Sequence, residues 1–523
     1  MKEMVLILIA SAGVLGLSQW LRLPPVPLLI LAGIGMTLTS IAPESTMLQN
    51  VLMLGLAFLV FAAGMELDPR RAGRQRRAAI GIGLIQFLVM GAVGAAAAIA
   101  MGTSWFTALY VGLGISASST IIVVRILRQR RQFFEPFGRA VLGALLVQDA
   151  LVILALAVLS SVAAGAGAVA FSVIGTVSLG ACAWAFARWA APFLLVRLKP
   201  DQEEGLLVAL AVLFMFVGLA DWLDLPIAVG AFLAGIALSS FPVNGIVRGQ
   251  LTSLSNFFLA VFFVSLGASL DIPGLREIML TAILVFLIVV VTPPLVVVIA
   301  ERMGLSTRAS VEAGLLLAQC SEFSLIVAIL GVDRGHLDTS MLSVLALTTV
   351  VSMMLTSFIA TDSVVWKLVQ WHPSRATKRI GPPPKDHIVL LGCGSNSRIL
   401  LDLLLLQGNT VLVVDEDPAV VEALRERGVD VIRGDGADER VLEEVRAREA
   451  RVIISTMRRI EDNERLLRLI RGRIVVVRAF DEHAAKRIAA AGGIPATEAE
   501  PAAESLLHWV TTSLPRAEKT SVA

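Results

Sequence analysis

The stretch GLGISASSTII, residues 112–122, places four hydroxyl side chains in the middle of an apolar segment. The segment runs from about 105 to 124, which is the length that a helix needs to cross a bilayer. Such hydroxyls either mark an interruption of the helix or bond to a neighbouring helix as packing contacts. The rest of the chain has to decide between these two interpretations.

A second apolar segment is interrupted at a similar depth. It reads LLLAQCSEFSLIV, residues 315–327, and contains Gln319, Ser321, Glu322 and Ser324. One interrupted segment therefore lies in each half of the apolar region, and paired broken helices indicate an inverted-repeat transporter with its site near the membrane midplane. Glu322 is a candidate either for ion binding or for bonding to the amides of an unwound helix.

A third segment, LLVQDALVI at 145–153, contains Asp149 between apolar residues. A carboxylate at mid-bilayer costs about 2.5–3.5 kcal/mol, so it should face the bundle interior or a water-filled cavity. There it can exchange a proton for a metal cation, because either one satisfies the buried charge. Gln148 supplies an amide oxygen as a candidate ligand. The alternative is a carboxylate that only bonds to a neighbouring helix.

The composition divides the chain into two parts. Of the 523 residues, 56% are hydrophobic and 16% are charged, against roughly 25% charged in a typical soluble domain. Charges are scarce up to about Trp366 and abundant from Pro382 onward, which indicates a membrane domain followed by a soluble domain. The three cysteines show no paired spacing, so neither a disulfide framework nor a zinc site is expected.

The apolar runs predict thirteen membrane spans. Basic residues cluster in the loops at 70–77, 125–131, 197–199 and 302–308, and thirteen spans place all of these loops on the side of the soluble domain. The positive-inside rule makes that side the cytoplasm and puts the N-terminus outside. The predicted spans are 4–20, 26–41, 47–65, 78–101, 105–124, 140–160, 168–195, 205–221, 226–240, 250–268, 277–300, 309–331 and 339–361.

The soluble part begins with HIVLLGCGSNSRILLDLLLLQGNTVLVVDED, residues 387–417. This pattern predicts a strand, a glycine turn, a helix and a second strand that ends in acid. Gly392 permits the tight turn, and Gly394 lets the backbone approach a phosphate at the helix N-terminus. Asp415 stands where such folds hold a ribose hydroxyl, whereas Ser397 replaces the third glycine of the fingerprint. Later apolar runs at 430–438, 450–456 and 473–480 continue the alternating pattern of a parallel sheet.

We therefore expect a polytopic α-helical membrane protein with inverted repeats and broken helices, followed by a Rossmann-like α/β domain. The expected boundaries are a transmembrane domain at 1–365, a linker at 366–385, a nucleotide-binding domain at 386–515 and a tail at 516–523.

The order and spacing of these segments resemble the Kef-type branch of the monovalent cation:proton antiporters. The resemblance runs over nearly the whole chain. The matching pieces are GMELDP (64–69), SASST (116–120), LVQDALVI (146–153), LPIAVGAFLAGIALS (225–239), FFLAVFFVSLGASLD (257–271) and AGLLLAQCSEFSLIVA (313–328).

The resemblance implies that residues 1–365 form a cation/proton exchanger domain. In it, a core domain with the fifth and twelfth spans crossed and half unwound rocks against a dimerisation domain. It makes Asp149 the carboxylate that binds the ion and the proton. The pair Gln148–Asp149 is the variant that is associated with potassium. The ion and proton site implied in this way comprises Asp149, Gln148, Ser118, Ser119, Thr120, Ser321 and Glu322.

The soluble part resembles the N-terminal lobe of the RCK (TrkA-N) domain, which regulates the conductance of potassium channels and transporters. Its implied ligand is an adenine nucleotide or dinucleotide, AMP, ATP or NAD(H), and a fold that has lost its ligand is the alternative. A homodimer in the inner membrane is expected, and an ancillary regulatory subunit is conceivable. The implied nucleotide site comprises Gly392, Gly394, Ser395, Asn396, Asp415, Asp435 and Thr456.

Potassium/proton antiport is thus the leading hypothesis, and sodium/proton antiport on the same fold is the first alternative. A nucleotide-gated channel is disfavoured because the chain has no TVGYG-like filter. A proton-pumping transhydrogenase would need two facing nucleotide sites, and the chain contains one glycine-rich turn of this kind. We do not expect an enzyme.

Overall fold

The structure is a computed structural model that describes residues 2–21, 23–38, 45–66, 75–130, 132–133, 136–193, 202–239, 245–271, 273–371 and 386–497. The chain divides into two compact units. The first comprises Met1–Met303 and Ala309–Gln370, and the second comprises Gly304–Arg308 and Trp371–Ala523. The predicted tail at 516–523, most of the predicted linker and the end of the predicted nucleotide domain lie outside the described residues.

All the regular secondary structure in the described part of the first unit is helical. A 3₁₀ turn, Val162–Ala164, separates its seventh and eighth helices, and the eighth continues into a π-helical turn, Phe186–Ala190. The helices are α1 (Lys2–Leu21), α2 (Pro25–Leu38), α3 (Ser45–Glu66), α4 (Arg76–Ala100), α5 (Trp105–Ser116), α6 (Thr120–Gln129), α7 (Pro136–Leu159), α8 (Ala166–Ala185), α9 (Gln202–Trp222), α10 (Ile227–Ser239), α11 (Gly245–Ala268), α12 (Leu275–Arg302), α13 (Thr307–Leu316), α14 (Phe323–Asp333), α15 (Thr339–Ile359) and α16 (Asp362–Trp371).

Eight of the described helical segments are long and apolar enough to cross a membrane, and five further apolar helices are shorter. Both predicted interruptions are present. The fifth predicted span consists of α5 and α6, and the twelfth consists of α13 and α14. The exact number of thirteen crossings and the outside position of the N-terminus stay predictions.

The helices of this unit pack in two groups. In one group α4 packs against α5, α7 and α12, and α14 packs against α5 and α15; in the other, α3, α10, α11 and α2 pack together with α9 and α1. Small residues allow close approach. The side-chain position of Gly64 in α3 lies against the backbone of Phe232 and Gly235 in α10, so a larger residue there would push the two helices apart. Both interrupted helices belong to the first group.

The second unit contains a parallel six-stranded sheet with the order β3-β2-β1-β4-β5-β6. This is the doubly wound order that binds dinucleotides where the strand order reverses, here between β1 and β4. The strands are β1 (Ile388–Leu391), β2 (Val411–Asp415), β3 (Val431–Arg433), β4 (Val452–Ser455), β5 (Val475–Ala479) and β6 (Ile494–Thr497); the helices are α17 (Ser395–Leu406), α18 (Pro418–Glu426), α19 (Glu439–Glu444), α20 (Ile460–Leu469) and α21 (Glu482–Ala490).

The central strand β1 is buried along its whole length, as a parallel strand covered on both faces should be. Its alternate side chains enter two apolar clusters, one on each side of the sheet. Val389 and Leu391 belong to one cluster, and Ile388 and Leu390 belong to the other. The Rossmann-like fold predicted from the sequence is therefore confirmed.

Candidate functional sites

The two interrupted helices meet at their breaks. The backbone N–H of Ser321 donates a hydrogen bond to the carbonyl of Ala117 over 2.9 Å. In the opposite direction, Ser118 Oγ donates to the carbonyl of Leu317 over 2.7 Å. Backbone groups freed by unwinding need partners when no water is available. Each break therefore provides a hydrogen-bond partner for the unwound backbone of the other break.

Asp149 lies beside this meeting point and is 1% exposed. Thr120, the first residue of α6, donates from Oγ1 to Asp149 Oδ2 over 3.1 Å. Among the residues that the structure describes, none donates a hydrogen bond to Oδ1 of Asp149. A buried carboxylate oxygen without a protein donor is an available ligand for a proton or a cation.

Glu322 is a second buried carboxylate near Asp149, and the two charges act on each other. It is the N-cap of α14, but in the described chain its side chain makes no capping hydrogen bond. The Ser119 side chain interacts with its carboxyl group, while Oε2 has no hydrogen-bond partner among the described residues. The carboxyl group also interacts with the backbone N–H of Glu322 itself, so the ion-binding and the amide-bonding interpretations of Glu322 both stay predictions.

Gln148, the candidate ligand predicted from the sequence, makes hydrogen bonds to protein groups at both ends of its amide. Its Oε1 accepts a hydrogen bond from the backbone N–H of Ser118 over 3.0 Å. Its Nε2 donates to Oε1 of Gln86 in α4 over 2.9 Å. Both ends of the amide are thus engaged by protein groups, which makes Gln148 a support for the break between α5 and α6.

The second break has support from α15. The N–H of Cys320 donates to Ser352 Oγ over 3.1 Å, and Thr356 Oγ1 donates to the carbonyl of Ala318 over 3.0 Å. Ser321 Oγ accepts from the N–H of Phe323 over 3.2 Å, so this predicted site residue bonds to the first residue of the following half-helix. Hydroxyl side chains on a neighbouring helix thus hold the unwound backbone in one shape.

Glu66 is the last residue of α3. It is exposed at the end of α3. Its charge nevertheless acts on both Asp149 and Glu322. α3 belongs to the other group of helices. The sequence spacing therefore does not indicate that Glu66 acts on these two residues.

In the soluble unit, the turn after β1 has the geometry that a phosphate site needs. Gly392 has φ +85°, and a Cβ atom there would lie 2.9 Å from Thr456 Oγ1. Thr456 follows β4 and donates from Oγ1 to the Gly392 carbonyl over 2.9 Å. Ser397, which replaces the third glycine, donates to Thr456 Oγ1 over 2.9 Å. These hydrogen bonds join the turn after β1 to Thr456 after β4, across the point where the strand order reverses.

Gly394 is the N-cap of α17, with φ −64°. A Cβ atom added there would meet no atom within 4 Å, so the helix N-terminus is open to a ligand. Positive partial charge and free N–H groups at such a terminus favour phosphate. Ser395 and Asn396, predicted to line this site, are the first two residues of α17, and their side chains lie outside the described part.

Asp415 ends β2, where the ribose-binding acid of such folds is found. Its Oδ2 accepts from the N–H of Cys393 over 2.6 Å, and its Oδ1 accepts from the N–H of Asp417 over 2.9 Å. Burial raises the pKa of the Asp415 carboxyl group, and these two hydrogen bonds oppose that effect. Asp435 follows β3, and its Oδ1 accepts from the N–H of Ala437 over 2.9 Å. The carboxylates at the ends of β2 and β3, Asp415 and Asp435, thus both accept hydrogen bonds from backbone amides.

Residues 5–366 match the family described as "Sodium/hydrogen exchanger, transmembrane", and residues 388–497 match the "TrkA-N domain". The chain is 28% identical over 442 residues to the "Glutathione-regulated potassium-efflux system protein KefC" of Salmonella schwarzengrund, covering 82% of this chain and 71% of that protein. The protein of the same name from Shigella flexneri is 26% identical over 434 residues, covering 80% of this chain and 68% of the relative.

Among solved structures, the chain resembles the sodium proton antiporter MjNhaP1 of Methanocaldococcus jannaschii with a TM-score of 0.57. The alignment covers 71% of this chain and all of that one at 13% identity, so this likeness concerns the fold alone. The relatives are transporters rather than enzymes. The match to the exchanger family extends over well more than half of this chain. The chain therefore belongs to the sodium/hydrogen exchanger family, as a cation/proton antiporter that carries a TrkA-N domain.

Proposed function

We propose that the protein exchanges potassium for protons by alternating access, with potassium leaving the cell and protons entering. The observation that carries the proposal is the buried Asp149 carboxylate, which has one oxygen bonded to Thr120 and the other without a donor among the described residues. The site that we propose consists of Asp149 and Glu322 as charged groups, together with the hydroxyls of Ser119 and Thr120.

Potassium is the cation that we favour. The relatives from Salmonella and Shigella are named as potassium-efflux proteins. Neutral oxygen atoms that replace a hydration shell suit a weakly hydrated ion, and the Oε1 atom of Gln319, which has no hydrogen-bond partner among the described residues, adds one near the second break. Sodium is the second candidate, since the fold relative is a sodium proton antiporter.

The decisive experiment is exchange by the full chain in lipid vesicles that contain a pH-sensitive dye. We expect an outward potassium gradient to drive proton uptake, and an equal sodium gradient to drive it about tenfold less well, a difference of about 1.4 kcal/mol. Faster exchange with sodium would replace potassium by sodium in the proposal. Absence of exchange with both cations would overturn the proposal.

Competition for one carboxylate also predicts a pH dependence. Below the pH at which the site carboxyl takes up its proton, the apparent KM for potassium should rise about tenfold for each unit by which pH falls, because the cation has to displace the proton. The check is a series of potassium titrations across pH in the same vesicles. A KM that is independent of pH would show that the two ions do not share a site.

Glu66→Gln should weaken cation capture without stopping exchange. Removal of a partly solvated charge that acts on both site carboxylates should raise the apparent KM for potassium about threefold to tenfold, at a similar maximal rate. Glu203→Gln is the matched control, because Glu203 is also an exposed glutamate at a helix end, in the first turn of α9. Equal KM values in the two variants would contradict this role of Glu66.

We also propose that an adenine nucleotide binds at the reversal of strand order in the soluble domain and regulates exchange. Its phosphate would lie at the N-terminus of α17, and its ribose would bind near Asp415. The support is the open Cβ position of Gly394 together with the strained turn at Gly392. AMP, ATP and NAD(H) share these groups, so binding assays with each of them on the purified full chain would identify the ligand.

The assembly that we propose is a homodimer in the inner membrane, with the soluble domain in the cytoplasm and the N-terminus outside. The basic loops support this orientation through the positive-inside rule. An ancillary subunit stays a prediction. Cysteine labelling from each side of the membrane, and cross-linking of the full chain in membranes, would test the orientation and the dimer.

A further inference from the structure

Gln86 is a buried amide on α4 that no motif in the sequence indicates. It is 2% exposed, and its neighbours along the buried face of α4 are apolar. A buried amide of this kind is unfavourable unless its donors and acceptors are paired. Its partners therefore indicate what it does.

The hydrogen bonds around Gln86 form a closed ring whose directions are determined one after another. The backbone N–H of Ser118 can only donate, so Oε1 of Gln148 is the acceptor. The Nε2 of Gln148 must then donate to Oε1 of Gln86, over 2.9 Å. The Nε2 of Gln86 is left to donate to Ser118 Oγ over 3.1 Å. The Ser118 hydroxyl can accept this bond because its own proton goes to Leu317.

The ring depends on a close approach of α4 and α7. At Gly83, one turn before Gln86, a Cβ atom would lie 2.7 Å from the Ala144 carbonyl and 2.9 Å from Val147 Cβ. Only a residue without a side chain permits this spacing. The two amides of Gln86 and Gln148 can therefore reach each other directly.

We propose that Gln86 is a positioning residue for ion exchange. It orients the Gln148 amide, which in turn holds the N–H of Ser118 and so keeps Thr120 within 3.1 Å of Asp149. Through the Ser118 hydroxyl it also fixes the contact with the second break. This inference rests on the proposed function and adds to it a residue that touches neither the proton nor the cation.

Gln86→Met keeps a side chain of similar length and removes both hydrogen bonds of the amide. A buried Gln148 then lacks its acceptor and turns away from Ser118, and the hydroxyl and carboxyl oxygens of the site lose their relative positions. We expect the apparent KM for potassium to rise about tenfold while the maximal rate per folded protein stays within about twofold. Leu88→Met is the matched control, because Leu88 is 59% exposed on the same helix; it should leave the KM unchanged.

Gln86→Glu provides the rescue. A neutral carboxylic acid keeps one acceptor oxygen and one O–H donor in the same places, and burial favours its neutral form. At acidic pH the KM of this variant should equal the KM of the wild-type protein at the same pH. Gln86→Met combined with Gln148→Leu should raise the KM by less than the product of the two single effects, because Gln86 orients Gln148.

The test of Gln86 is a set of potassium titrations of exchange in vesicles. The rates are corrected for the amount of folded protein, which size-exclusion chromatography measures. A wild-type KM in Gln86→Met would overturn the inference, whether or not less protein is recovered. So would a Gln86→Glu variant that is as impaired at acidic pH as Gln86→Met. If the wild-type protein shows no exchange at all, the proposed function fails instead, so the two failures can be told apart.

Discussion

Asp149→Asn is expected to reduce proton-coupled exchange about 10²–10⁴-fold, which is below detection in a vesicle assay. The two side chains have nearly the same shape, so the packing of α7 should not change. The amide can neither take up a proton nor carry the charge that a cation neutralises. Loss of this one carboxylate therefore removes both the proton-carrying step and the cation-carrying step of the exchange cycle.

The protein must still be folded for this result to be informative. Asp149 is 1% exposed and Thr120 donates to it, and an amide oxygen accepts the same hydrogen bond. Asp221→Asn is the matched control, because Asp221 is exposed at the end of α9; its exchange rate should equal that of the wild-type protein. Exchange by Asp149→Asn at the wild-type rate would remove Asp149 from the mechanism.

Gly394→Asp is expected to weaken nucleotide binding about 100-fold and to remove any effect of nucleotide on exchange. The substituted carboxylate would lie where we place the phosphate, and the two negative charges would compete for the same N–H groups at the start of α17. The soluble domain itself should stay folded. Aspartate is a favourable N-cap, and the position has open space for a Cβ atom and a φ of −64°.

Gly394→Ala is the matched control for this prediction. It adds a methyl group without charge, so nucleotide affinity should fall far less than in Gly394→Asp. Binding of AMP, ATP and NAD(H) to the purified full chain can be followed by isothermal titration, and exchange can be followed with each nucleotide inside the vesicles. Nucleotide binding by Gly394→Asp that equals binding by Gly394→Ala would place the ligand elsewhere.

The sequence alone was sufficient for the outline of the protein. Hydroxyl and amide residues inside GLGISASSTII and LLLAQCSEFSLIV predicted two interrupted helices, and both interruptions are present. The glycine turn followed by a strand ending at Asp415 predicted the Rossmann-like sheet, and the strand order confirms it. These features are local, since helix propensity, turn geometry and apolar run length act over a few neighbouring residues.

The partners of the predicted site residues depended on the tertiary structure. The sequence shows that Gln148 has an amide oxygen but does not show what that amide contacts. In the structure its two ends bond to Ser118 and Gln86. Glu66 is remote from Asp149 in the sequence, and only the packing of the helices lets its charge act on Asp149. Which polar groups meet in a bundle depends on helix rotation and on close approaches such as the one at Gly83.

The sequence by itself therefore determined that the chain forms apolar helices with two breaks, a buried carboxylate at Asp149 and a nucleotide-type sheet. The tertiary structure alone decided that the two breaks complete each other's hydrogen bonds and that Gln86 holds the amide beside the carboxylate. The reason is physical. Hydrophobic length and backbone propensity are properties of one segment, whereas the satisfaction of a buried polar group is a property of the several segments that surround it.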